Sequence, residues 1–239
     1  MPGWDHGEAR RQETQTFANR SLALDPNQPD ALYALSYVFT RQGALEQAEA
    51  ILRKAMAAAP GNARIARTLG SNLVRQGRRE DAIRHLQEVV ARFPRDPLVR
   101  YEFALVHAHY GFAPFTSADM QAAEEQLDAA IALQPFSSAL LLRALIAAVW
   151  HDDYETVRAK LAELSALPLA ERTEDRTVAM LMWINLISGQ YDQVAAASSL
   201  TSRNHFEDAV LLYPHKHWLL ALALERQGKP NLARARWQD

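Results

Sequence analysis

The sequence predicts an all-α solenoid of about six stacked helix–turn–helix units, preceded by one extra N-terminal helix. Three observations carry this. Pro26, Pro60 and Pro94 stand at intervals of 34 residues, a period that marks arrays of helical pairs. Gly43, Gly77 and Gly111 repeat at the same spacing, and the tripeptide Arg-Gln-Gly recurs at 41–43, 75–77 and 226–228. Between these markers, large apolar and small residues fall at matching offsets from block to block.

The elements follow in order. Residues 1–28 read as a single helix, the second half of a unit, with Phe17, Ser21, Leu22 and Leu24 leading to Asp25-Pro26. The first full block carries Leu35, Ser36, Phe39, Gly43, Ala48, Leu52, Ala55 and Pro60. The second carries Leu69, Gly70, Leu73, Gly77, Ala82, Leu86, Val89 and Pro94 at the same offsets. The third begins with Phe103, Ala104, His107 and Gly111 and resumes at Ala123, Leu127, Ala130 and Pro135; its proline interval is 41, so seven residues are inserted around 112–119. A fourth block runs from about Ser138 with Leu141, Ala144, Leu161 and Leu164, and Asp152 stands where the turn glycine belongs. Weaker fifth and sixth blocks centre on Gly189, with Leu181 and Val194, and on Gly228, with Leu220, Ala233 and Trp237. The domain reading is therefore 1–28 an N-terminal helix, 29–135 three well-matched units and 136–239 three divergent ones, the last incomplete.

Each marker has a physical reason. Small residues (Ser36, Gly70, Ala104; Ala48, Ala82, Ala123) let neighbouring helices approach closely. The glycines suit a left-handed C-terminal cap on the first helix of each pair, and the prolines cannot extend the second. The pattern of large, small and proline positions resembles the tetratricopeptide repeat, whose unit is a 34-residue helix–turn–helix. That resemblance implies a right-handed superhelix in which the first helix of each pair lines a concave groove and the second faces outward. It also implies a protein-binding function.

Composition sets bounds. The chain has 239 residues, 49% hydrophobic, with a formal net charge of −2 and no cysteine, which excludes disulfides and cysteine-ligated zinc. The richest apolar run, 139–150, is interrupted by Arg143 and is shorter than the roughly 18 residues of a membrane helix. No leader is legible at Met1, so a cytoplasmic location is the default expectation. Both ends look cut: the chain starts on a second helix and stops partway through another, leaving open ends that suit self-association.

Applied to this register, the resemblance puts Tyr33, Tyr37 and Arg41, then Arg64, Arg67, Ser71 and Arg75, then Tyr101, Glu102 and His109 in the groove. The later units add Leu142, Ile146, Trp150, Met180, Trp183, Trp218 and Leu222. Charge follows the same division: residues 53–100 hold 11 Lys/Arg against 4 Asp/Glu, whereas 101–190 hold 5 against 12. Arg64 and Arg67 share a helix face with Arg75 two turns on, a set suited to clamping a carboxylate or phosphate; the alternative is that these arginines only solubilise the surface. Trp150, Trp183 and Trp218 recur once per unit, 33 and 35 residues apart, and are either binding anchors or ordinary core.

Other functions find less support. Tetratricopeptide clamps for acidic chaperone tails use basic and amide residues where this chain has Tyr33, Tyr37, Thr68, Leu98 and Glu102, so that role is not expected. The pairs His107/His109 and His215/His217 are two apart and point to different helix faces, and His151-Asp152-Asp153 reads as a solvated turn, so no metal site is expected. No phosphate loop, nucleophile elbow or metalloprotease motif occurs, and neither a catalytic residue nor a cofactor is expected. Nucleic acid is not the expected partner, because the arginines spread over both helices of each unit and the remaining chain is acidic. The leading expectation is a non-enzymatic scaffold that binds a peptide or protein segment, including one with an anionic stretch. The alternative is a regulatory or self-association module excised from a larger multidomain signalling protein.

Overall fold

In a computed structural model of the chain, which describes residues 5–108, 116–172, 175–201 and 216–237, every regular element is helical. A lone helix, α1 (Asp5–Leu24), precedes the pairs α2 (Pro29–Arg41) with α3 (Leu45–Ala58), α4 (Ala63–Arg75) with α5 (Arg79–Arg92), and α6 (Pro97–Ala108) with α7 (Ser117–Leu133). Then come α8 (Ser137–Trp150) with α9 (Tyr154–Ser165), a single turn α10 (Leu169–Arg172), α11 (Asp175–Ile187) with α12 (Tyr191–Ser198), and α13 (Lys216–Arg226) with α14 (Pro230–Trp237). The solenoid of six helix pairs behind one extra helix is thus the fold. Gly111, His109 and the Phe112–Phe115 part of the inserted stretch lie outside the described residues, as does His215.

Four of the repeated glycines close the first helix of their pairs as their chemistry requires. Gly43, Gly77, Gly189 and Gly228 have φ of +77°, +77°, +72° and +73°, a left-handed conformation that glycine alone adopts without a Cβ penalty. The amide after each turns back into the helix: Ala44 N–H donates to Phe39 O at 3.0 Å, Arg78 to Leu73 at 3.0 Å, Gln190 to Asn185 at 2.8 Å and Lys229 to Leu224 at 2.9 Å. This is the Schellman arrangement, which satisfies carbonyls orphaned at a helix end. In the fourth pair Asp152 takes the same role with φ +51°, the only positive φ outside glycine among the described residues. Asp153 beside it caps α9, accepting from the Glu155 and Thr156 amides at 3.2 and 3.0 Å.

Some helix starts, those of α4 and α6 among them, are fixed by side chains that accept orphan amides. Asn62 accepts from Ile65 N–H at 3.3 Å, and Asp96 from Leu98 and Val99 at 2.9 and 3.1 Å. Pro26, Pro60 and Pro94 lie just past the ends of α1, α3 and α5.

The chain divides into two compact units, Met1–Gln126 and Leu127–Asp239. The first is built on Leu32, Leu52, Ile65, Leu69, Leu73, Leu86 and Val106, all buried in one cluster. The small residues do what their size permits: Ser36 and Ala104 are buried, and Gly70 sits so close to α5 that an added Cβ would meet Leu86 Cγ at 2.6 Å. The second unit is built on Leu140, Leu141, Ala144, Val157, Leu164 and Ile184, and on Val178, Met182, Val194 and Leu219.

Candidate interaction surface

In the first unit, Asp30, Tyr33, Tyr37 and Arg41 on α2 recur every three or four residues and so share one face. Arg64, Arg67, Ser71 and Arg75 occupy the same positions on α4, one repeat later. The two faces are stitched together. The Arg64 guanidinium pairs with Asp30 Oδ1 at 2.7 Å and lies over the Tyr33 ring, 4.4 Å from its centroid. Both groups are surface-exposed, so the ion pair itself contributes little; its effect is to hold Arg64 flat against Tyr33.

Arg64 is therefore already engaged. Arg41 and Arg75, exposed, and Arg67, half-buried, have no ion-pair partner among the described residues, and these three are the cations of the two faces left for an incoming anion. Tyr37, on the α2 face, stands 54% exposed. Ser71 Oγ donates to the Glu102 carboxylate on α6, so the basic stripe ends in a negative group on the third helix of the row.

Several side chains expected on this surface are core instead. Tyr101 is only 8% exposed, because its ring turns inward at the position that Tyr33 and Arg67 hold in the earlier units. In the second unit Leu142, Ile146 and Met180 are buried; their helices α8 and α11 are apolar on several faces, so the outward register inferred from the first unit does not carry over. Leu222 is half-buried. Trp183 packs against the Val178, Met182 and Leu219 cluster. Trp150, the last residue of α8, is 43% exposed, and Trp218 on α13 is 38% exposed. No tryptophan of the three is fully buried.

Two polar arrangements escaped sequence reasoning. The glutamine of the recurring Arg-Gln-Gly reaches back to the preceding second helix: Gln76 Nε2 donates to Glu49 Oε2 at 2.9 Å and to Asn72 Oδ1 at 2.7 Å, and Gln227 donates to Asp192 Oδ1 at 2.8 Å. Burial works to raise the Glu49 carboxyl, but hydrogen bonds from Gln76 and Arg53 and the charges of Arg78 and Arg53 hold it below its ordinary value. The recurrence of the tripeptide was the available signal. The second arrangement had none, because its members come from three helices. Arg79 on α5 pairs with Asp119 on α7, and His107 Nδ1 on α6 lies 3.5 Å from the same carboxylate. Asp119 also accepts from the Thr116 amide at 3.0 Å and hydroxyl at 2.7 Å, which caps α7 where the chain returns from the insertion. Burial opposes ionisation of Asp119, yet the hydrogen bonds from Arg79 and Thr116 and the Arg79 charge hold its carboxyl well below the usual carboxylate range.

Among the described residues no group of three His, Cys, Asp or Glu side chains could hold a metal ion, and no helix is long and apolar enough to cross a membrane.

The tetratricopeptide repeat family model matches residues 7–71 and, overlapping, 39–102. Among solved structures, the Cut9–Hcn1 hetero-tetramer of APC/C superposes with a TM-score of 0.69 at 17% identity, over 98% of this chain and 43% of that one. Yeast Tom70 gives 0.65 at 17% identity, over 94% and 43%. PilF of Pseudomonas aeruginosa gives 0.57 at 20% identity, over 97% and 92%. At these identities the likeness is one of fold. No curated protein matches the chain in sequence.

Proposed function

We propose, from the premise that this chain is a tetratricopeptide repeat protein, that it works without catalysis as a scaffold holding a peptide or protein segment on the first-helix face of its N-terminal repeats. One observation carries this reading: Tyr37, Arg41, Arg67 and Arg75 carry no ion pair among the described residues, while Arg64 is engaged by Asp30 and Tyr33. An exposed tyrosine together with unpaired guanidiniums suits a segment bearing a carboxylate or phosphate next to an apolar side chain. The Cut9–Hcn1 structure, a hetero-tetramer, supports the general idea that this kind of array assembles with other proteins. Trp150 and Trp218 offer further exposed aromatic area in the second unit.

The test uses the full chain against an array of peptides in which Asp or Glu is exchanged for Asn or Gln. Acidic peptides should be retained, less so at high salt, and Arg67→Glu with Arg75→Glu should weaken retention roughly tenfold or more while the circular-dichroism spectrum stays helical. Retention that ignores both the peptide charge and the double substitution would remove the stripe from consideration.

A further inference from the structure

The other unit contains a cavity of its own. Between α9, α10, α11 and α12 is a cavity of about 340 Å³, within the roughly 300–1,000 Å³ of small-molecule sites. Residues 59–62 and 93–96 join successive pairs directly, and α3 packs closely on α4 and α5 on α6. The sequence between α9 and α11 is longer and includes α10, and among the described residues these two helices do not make the close pairing seen earlier in the chain. Ser137 Oγ, at the start of α8, donates to the Glu171 carbonyl at 2.8 Å and so anchors α10.

The cavity is apolar along Leu161, Leu164, Leu181 and Leu200, and among the described residues its lining holds one charged side chain, Arg172, with no aspartate or glutamate. Arg172 Nε is buried without a hydrogen-bond partner, and among the described residues no carboxylate pairs with its guanidinium. A buried N–H left unsatisfied costs free energy. A planar carboxylate matches the guanidinium in charge and in geometry, and the leucines reward an aliphatic body attached to it.

We propose that this cavity binds a small carboxylate on a compact aliphatic body, its oxygens on Arg172 and its carbons against Leu161, Leu164, Leu181 and Leu200. That chemistry belongs equally to a free branched-chain organic acid and to the last residue of a peptide ending in leucine. Calorimetric titration of the full chain with 4-methylpentanoate, 4-methylpentanamide, acetyl-Gly-Leu and acetyl-Gly-Leu-amide separates the two. At least one carboxylate is expected to bind with one-to-one stoichiometry, and its amide roughly tenfold or more weakly. Binding by the free acid alone assigns the site to metabolite-like acids, and binding by the peptide alone assigns it to chain termini. Arg172→Gln should lower affinity by the same factor, Arg172→Lys by less, and Ala196→Trp should abolish binding by filling the cavity. The proposal is overturned if neither carboxylate binds, if the amides bind as well, or if folded Arg172→Gln binds like the original chain. The amide comparison decides even where a substituted chain fails to fold.

Discussion

Replacing Gly70 with alanine sets two effects of known size against each other. Gly70 lies inside α4, where exchange of glycine for alanine at an open position stabilises a helix by about 1 kcal/mol. This position is not open. An alanine Cβ would stand 2.6, 2.7 and 2.8 Å from Leu86 Cγ, Cδ2 and Cδ1. Ordinary contact begins near 3.4 Å, so Leu86 would have to withdraw by roughly 0.8 Å. It has nowhere to go, being fully buried among Leu52, Leu69, Leu73 and Ala82. Overpacking of this kind costs about 1–3 kcal/mol, which exceeds the helix gain, and a net loss of about 1 kcal/mol is expected. The sharper test is a double-mutant cycle in urea, followed by circular dichroism. Leu86→Ala alone should cost about 2–5 kcal/mol. In that background all three opposing atoms are gone, so Gly70→Ala should change sign and stabilise by about 1 kcal/mol. Additive effects, or a stabilising Gly70→Ala in the original chain, would refute the claim that the helices touch through this glycine.

Further predictions rest on other contacts. Burial pushes the His107 imidazole below its ordinary value, against the opposing pull of the neighbouring Asp119 carboxylate and with the Arg79 charge assisting; the unfolded chain therefore takes up the proton first, near pH 6.5. The associated stability is present above that pH and is lost as pH falls toward the folded value. The urea midpoint of the original chain should drop between about pH 7.5 and 5.5, and His107→Gln should flatten that slope; parallel slopes would disprove it. Asp119, held low by Arg79 and Thr116, contributes stability above about pH 4 that fades on further acidification, so Asp119→Asn should lower stability at neutral pH and lose its deficit in acid. Gly77→Ala, forced to φ +77°, should cost about 1 kcal/mol or more, whereas Asp152→Gly should be neutral or mildly stabilising; thermal melts of both would expose a wrong assignment of the turn.

Much of this architecture was legible because it depends on short-range stereochemistry. Gly43, Gly77, Gly189 and Gly228 announce left-handed caps that only the backbone at those positions requires, and Asp152 was identifiable as their substitute by its place alone. The candidate surface was half legible. Tyr37, Arg67 and Arg75 follow from the helix period, but the engagement of Arg64 by Asp30 and Tyr33 depends on a neighbouring helix 34 residues earlier. Tyr101, Leu142, Ile146 and Met180 were misplaced because outward register was carried from well-matched repeats to positions whose residues find apolar neighbours inside.

The sequence by itself determined the lone first helix, the succession of helix pairs and the glycine caps that close their first helices, since period, glycine and proline act within a turn or two of where they stand, but not the extra turn α10. Only the tertiary structure decided which charges are free and where space is left. Arg79, His107 and Asp119 meet from three helices, and the cavity at Arg172 is lined from α9, α10, α11 and α12. Such outcomes depend on distances between elements, which no local pattern of residues encodes.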